Sequence, residues 1–268
     1  MEPFVSLMRR YCIDYTNVHD QSVCDEIMSP DYRITISGRT MGMDEYHEAV
    51  TAAFRRYPTL MLTVHELLLS GDRLAMRFSE HGAAADEPDN VAVWPGISLY
   101  RWDGSRLLEC RVEQDFLTRD EQTADGRTAP LEPGHPDPWA TTRDAPSDPT
   151  VEATVRSWLD GLASDPAAAL SAPGVELLGS DRAEPLMSDL TVRIDDLFSA
   201  GPRFAAAVTL EGAYAGGIEA LGDEHLGVRA ELPLTVIGEV SEGGLSGARI
   251  VRDRWGFIRR VRKASRTR

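Results

Sequence analysis

Apolar side chains in residues 3–18 stand at Phe4, Leu7, Met8, Tyr11, Cys12 and Tyr15, the spacing of one helix face. Asp20 or Ser22 can cap a short second helix through Met28, which Pro30 stops. Residues 32–36 alternate as a strand does. Residues 44–57 make an amphipathic helix ended by Pro58, with Asp44 near its positive N-terminal end. Four strands are predicted over 61–69, 73–82, 91–102 and 106–117, with hairpin turns at Ser70-Gly71-Asp72 and Asp103-Gly104-Ser105. Helices gathered on one side of an antiparallel sheet make an α+β fold.

The pattern occurs twice. Residues 64–82 lie without gaps on residues 194–212, so that Gly71 meets Gly201, Arg73 meets Arg203, Leu74 meets Phe204 and Gly82 meets Gly212. Residues 94–115 lie on 232–253, with Pro95 on Pro233, Arg111 on Arg249 and Asp115 on Asp253. The change of offset places one longer loop in the second copy, near residues 216–227. Between the copies, residues 121–149 hold six of the 16 prolines (Pro130, Pro133, Pro136, Pro138, Pro146 and Pro149) and read as an extended linker. Trp139 is suited to pin that linker onto a domain surface. The expected division is a first domain over 1–120, a proline-rich linker over 121–149, a second copy over 150–262 and a basic tail over 263–268.

Strand phase locates the polar groups. Leu74, Met76, Phe78 and Glu80 share a face, and their counterparts Phe204, Ala206, Val208 and Leu210 are all apolar. A carboxylate on such a face must be paired, raised in pKa, or open to a cavity or to water. On the last strand Arg111, Glu113 and Asp115 share a face, matched by Arg249, Val251 and Asp253. One Arg–carboxylate pair per copy can be a structural ion pair or part of a site.

Composition narrows the function classes. The 268 residues carry 28 Lys+Arg against 43 Asp+Glu, a net charge of −15, which opposes phosphate binding and argues against a nucleic-acid partner. No apolar run is long enough for a membrane span, and the first residues lack the basic and apolar regions of a signal peptide. Cys12, Cys24 and Cys110 form neither a disulfide framework nor a metal spacing, and are expected as buried thiols in a reducing cytoplasm. No P-loop, GxGxxG, GxSxG or HExxH occurs. Residues 252–268 carry eight Lys/Arg and one Asp, read either as a solvated, frayed terminus or as a segment that docks an acidic partner or the chain's own acidic body.

Three segments carry a family resemblance: Tyr15-Thr16-Asn17-Val18-His19-Asp20, Gly71-Asp72-Arg73-Leu74-Ala75-Met76-Arg77-Phe78, and Tyr100-Arg101-Trp102-Asp103-Gly104 leading into residues 107–115. Together they resemble the SnoaL-like polyketide cyclases of the NTF2-like superfamily, which includes ketosteroid isomerase and limonene epoxide hydrolase relatives. The resemblance covers about residues 3–118 and, more faintly, 150–262. It implies two tandem cone-shaped domains, each a curved antiparallel sheet packed on helices around a pocket. It further implies that Asp115 is a base removing a proton α to a carbonyl, without metal or cofactor. The enolate would then cyclise or be reprotonated elsewhere. Two features depart from the family: no helper His is clearly matched near Tyr100 and Arg101, and Arg111 replaces a common aromatic. Arg111 would lower the pKa of Asp115. Homodimers are usual in this superfamily, so a fused tandem would form an internal pseudo-dimer, with a homodimer of the whole chain as a further expectation.

Reactive residues are lopsided. Residues 1–120 hold four of six His, six of seven Tyr and all the Cys, whereas Glu80, Tyr100 and Glu113 become Leu210, Gly238 and Val251 in the second copy. The first copy is therefore expected to be active and the second supporting. Asp115, Glu80, Glu113 and His65 are the candidate acid–base groups. Tyr15, Tyr46, Phe78, Trp94, Tyr100 and Arg111 are candidates for holding a hydrophobic small molecule. His65 has an alternative as a satisfied sheet histidine, and the aromatics as core. The expected activity is cofactor-independent enolisation of a polyketide-, steroid- or terpenoid-like carbonyl compound. The alternatives are epoxide opening by a carboxylate pair, or a non-catalytic binding or assembly module.

Overall fold

The strand phases and turn glycines build two mixed sheets, of six and five strands, in the computed structural model of the protein. Residues 1–133, 137–242 and 244–267 are described. Pro136 of the linker and Arg268 of the tail lie outside the described residues.

The first half runs α1 (Pro3–Arg10), a π-helical segment (Tyr11–Asn17), a 3-10 turn (Gln21–Val23), α2 (Cys24–Ile27), β1 (Met28–Ile36), β2 (Arg39–Met41) and α3 (Met43–Arg56). Four strands follow, β3 (Met61–Ser70), β4 (Arg73–Ala84), β5 (Glu87–Trp102) and β6 (Leu107–Gln114), and then α4 (Phe116–Asp125). Its sheet order is β2-β1-β6-β5-β4-β3, with β1 parallel to β6. The expected all-antiparallel sheet is thus mixed, because the chain crosses over the sheet between β1 and β6 by way of α3 and a meander. Gly71 takes φ 58° in the β3–β4 turn, a conformation only glycine adopts freely.

After a short α5 (Pro138–Thr141), the second half runs α6 (Pro149–Ser164), α7 (Pro166–Leu170), β7 (Val175–Leu177), β8 (Met187–Ala200), β9 (Arg203–Tyr214), a 3-10 turn (Asp223–His225), β10 (Arg229–Ser241), β11 (Gly244–Arg252) and α8 (Arg254–Ser265). Its order, β7-β11-β10-β9-β8, repeats the first sheet without β2. The sequence offsets reappear in the register: Phe78 pairs with Gly96, and Val208 pairs with Leu234.

Three expectations change. The last strand of the first half ends at Gln114, not residue 117, because Asp115 leaves the strand to cap α4 by accepting from Thr118 N. The linker therefore begins as helix, which Gly126 stops at φ 63°. Of the basic stretch that begins at residue 252, residues 254–265 form α8: Arg262 donates to Ala220 O at 2.7 Å, and upstream Arg252 pairs with Asp181 at 2.6 Å. Trp139 does pack against the first core.

Each half buries an apolar core under its helices, and a third core joins the opposite faces of the two sheets. Leu68, Ala75, Ile97 and Leu99 meet Phe198, Ala205, Ala207, Ile237 and Val251 there. The ion pairs Arg73–Asp196, Arg203–Glu66, Arg249–Glu66 and Arg254–Asp115 also join the two halves. Thr235 Oγ1 donates to Ile97 O at 3.1 Å, so the two sheets are in direct contact. Among the described residues, no helix is long and apolar enough to cross a membrane.

Candidate active site

The concave face of the first sheet encloses a cavity of about 400 Å³. It exists because α3 lies over the sheet and contributes Tyr46 and Phe54 to its wall, with Tyr57 following at the end of the helix. The second half has no counterpart of α3, since only residues 178–186 separate β7 from β8. Its interior is filled instead by Val155 and Leu159 of α6, by Phe257 and Val261 of α8, and by Ile218 and Leu221 of the longer loop.

Glu80 opens onto this cavity from β4, in phase with Phe78 as the alternation requires. Burial pushes its carboxyl up to about 7. The Arg119 charge and a hydrogen bond from Gln114 oppose the shift without cancelling it. Gln114 Nε2 donates to Glu80 Oε1 at 3.4 Å, while its Oε1 accepts from Trp94 Nε1 at 2.7 Å. The Trp94 indole thereby fixes the amide so that its NH2 faces the carboxylate.

Elsewhere in the cavity wall three tyrosine hydroxyls form a chain. Tyr46 Oη stands 3.1 Å from Tyr11 Oη and accepts from Tyr15 Oη at 3.0 Å. The π-helical segment puts Tyr11 and Tyr15 on one side, edge-on to each other at 5.4 Å. Burial raises all three phenols above their ordinary value, so they stay protonated and available as donors.

Of the residues singled out in the sequence, Glu80, Tyr15, Tyr46, Phe78, Trp94 and Tyr100 line this one cavity. Asp115, Glu113, His65 and Arg111 are not part of its wall. In β6 the residues reaching the cavity are Val112 and Gln114, so the intervening Arg111 and Glu113, and Asp115 beyond them, belong to the other face. Asp115 Oδ2 accepts from Thr118 Oγ1 at 2.5 Å and from Arg254 Nη2 of the second half at 2.6 Å. Gly179 closes over it so tightly that a Cβ there would collide with Oδ2. Burial raises the Asp115 carboxyl, and Arg254 opposes that rise. The Asp115 carboxylate is thus buried in an ion pair at the seam and does not line the cavity. Glu113 is buried beside Asp253 and accepts from Ser37 N at 3.1 Å. His65 sits at a bulge in β3, and its Nε2 lies 2.8 Å from Ser79 Oγ.

Four cavity residues were not foreseen as functional: Tyr11, Tyr57, Gln114 and Arg119. Gln114 carries a readable signal, since it follows Cys110 and Val112 on the apolar phase of β6. Arg119 was hidden by reading residues 106–117 as strand. The Asp115-x-x-Thr118 cap and the Gly126 stop mark its helix.

Residues 8–110 match the family model described as a SnoaL-like domain. No curated protein matches the chain. Among solved structures, a candidate SnoaL-like polyketide cyclase from Jannaschia sp. CCS1 is 19% identical, covering 46% of this chain and 92% of that one with a TM-score of 0.42. Wild-type IdmH, a candidate polyketide cyclase from Streptomyces antibioticus, is 18% identical over 46% of this chain and 99% of its own, also at 0.42. A candidate polyketide cyclase from Bacillus cereus is 19% identical over 47% and 83%, at 0.41. The likeness to SnoaL-like domains thus rests on residues 8–110 of this chain.

Proposed function

We propose that the first half performs cofactor-independent proton transfer on an apolar carbonyl compound, with Glu80 as the base. The observation that carries this reading is a single carboxyl, raised to about 7, opening onto an apolar cavity that also holds a chain of tyrosine hydroxyls. At neutral pH such a carboxyl is near half ionised, which suits a group that must both take and return a proton. Ionised Glu80 removes a proton α to the carbonyl. A tyrosine hydroxyl donates to the enolate oxygen, and the apolar walls keep that bond strong. Protonated Glu80 then returns the proton at another carbon, or the enolate carbon attacks a second carbonyl, closes a ring and leaves an alkoxide that takes the proton back from Glu80. In this reading Tyr15, Tyr46, Phe78, Trp94 and Tyr100 hold the substrate, and the second half is a support.

Epoxide opening is less well supported. It needs one carboxylate to activate water and a second acid for the epoxide oxygen, and Glu80 is the one carboxylate among the described residues lining the cavity. A pure binding role predicts no rate enhancement. Hydrogen–deuterium exchange α to the carbonyl of β-tetralone in D2O, followed by NMR, separates these readings. Saturable exchange that Glu80→Gln slows by about a hundredfold or more supports the base. Exchange at the rate of buffer alone refutes it.

A further inference from the structure

Besides the tyrosine chain and Glu80, two residues of the cavity wall carry a donor group without a partner among the described residues, Nη1 of Arg119 and the hydroxyl of Tyr57. Arg119, 8% exposed, reaches the cavity from α4. Its Nε and Nη2 both donate to Asp120 Oδ1, at 2.9 and 2.8 Å, which leaves Nη1 unused. Three rings surround the guanidinium: Phe116 at 4.6 Å, Tyr57 at 5.2 Å and Trp94 at 5.6 Å from carbon to centroid. The same Tyr57, 3% exposed and also in the wall, has a buried hydroxyl with no hydrogen-bond partner. Glu80 is close enough to feel the Arg119 charge but forms no ion pair with it among the described residues.

Asp120 pairs with one edge of the guanidinium, and the ring faces around it replace part of its lost hydration. A buried hydroxyl without a partner is costly to maintain and marks a place where an acceptor is missing. Both residues line one cavity, and the Arg119 guanidinium lies over the Tyr57 ring. We infer that the ligand of this cavity is an organic acid, a flat apolar body bearing one carboxylate held by Arg119 Nη1 and the Tyr57 hydroxyl. The inference deepens the reading of Glu80 as base and rests on it for one point only: the body of the acid presents its carbonyl to Glu80.

The second half has a part in this. α4 is fixed at its first turn by Arg254 on Asp115 and by Ser180, whose N donates to Thr118 Oγ1 at 2.7 Å. Arg119 lies one turn beyond the cap, so its placement at the cavity depends on a clamp supplied by the other half of the chain.

Binding of 2-naphthoate and 2-naphthamide, equal in shape and different in charge, tests the inference in the full-length protein by calorimetry at pH 7.5. The acid is expected to bind at least about tenfold tighter than the amide, equivalent to about 1.4 kcal/mol. Arg119→Met should abolish that preference. Tyr57→Phe, which removes only an oxygen and keeps the ring, should reduce it about threefold or more. Equal binding of acid and amide, binding of neither, or a preference that survives both substitutions overturns the inference. Glu80→Gln should keep the preference. A preference that persists while Glu80→Gln leaves ketone exchange untouched would refute the base and leave the acid-binding site standing.

Discussion

Nη2 of Arg254, in the second half, stands 2.6 Å from Oδ2 of Asp115, in the first, and both side chains are buried. The carboxylate that the family resemblance nominates as base thus joins the two halves. A buried pair is worth little over an apolar replacement, but breaking it strands a charge. Asp115→Asn keeps a capping oxygen but removes the charge, and should therefore lower the unfolding free energy by about 3 kcal/mol. Urea unfolding measures this. A loss of less than about 1 kcal/mol would show that Arg254 is satisfied by another partner, such as Asp181 at 3.7 Å.

Glu80 should destabilise the fold at alkaline pH. Its folded pKa of about 7 lies above the ordinary 4.5. Between these values the folded protein holds a proton that the unfolded chain releases. Stability therefore falls as pH rises from about 4.5 through about 7 and stays low above it. Glu80→Gln removes the penalty. It should gain about 3 kcal/mol over wild type at pH 8.5 and little at pH 4.5. Equal stability of the two proteins across this range would mean that the carboxyl is well solvated.

Glu113 makes a parallel case at the seam. Burial first, and then Asp253, hold its carboxyl well above the usual range. Ionisation at high pH places a second charge beside Asp253, which Arg260 already pairs at 2.8 Å. Glu113→Gln keeps an oxygen for Ser37 N and should raise the melting temperature at pH 8.5 by a few degrees. Ketone exchange should not change, because Glu113 lies outside the cavity wall.

Tyr46 is the middle of the hydroxyl chain, so Tyr46→Phe leaves Tyr11 and Tyr15 without their shared partner. The bond to an enolate oxygen is made mainly as charge develops, so kcat should fall by about tenfold to a hundredfold with KM little altered. A rise in KM at constant kcat would assign Tyr46 to substrate binding alone.

The parts of this architecture set by local periodicity were legible. Alternation put Glu80 on the face of Leu74, Met76 and Phe78, and the offsets of the repeat recur in the strand pairing. Residues whose role depends on distant partners were not. Arg254 lies 139 positions from Asp115, and no local pattern reports which face of β6 meets the other sheet. Extending that strand to residue 117 hid both the cap of α4 and the approach of Arg119. The missing α3 of the second half could be seen only as a shorter run between strands. Its effect, an interior filled by α6, α8 and the longer loop, needed the packing itself.

The most direct test of the account is the pH profile of β-tetralone exchange for wild type, Glu80→Gln and Asp115→Asn, measured by NMR where all three remain folded. The account predicts that the wild-type rate rises with pH through about 7 and levels off. Glu80→Gln should lose the rate and the inflection, and Asp115→Asn should keep both. A flat profile, or loss of exchange in Asp115→Asn with Glu80→Gln unaffected, would contradict it.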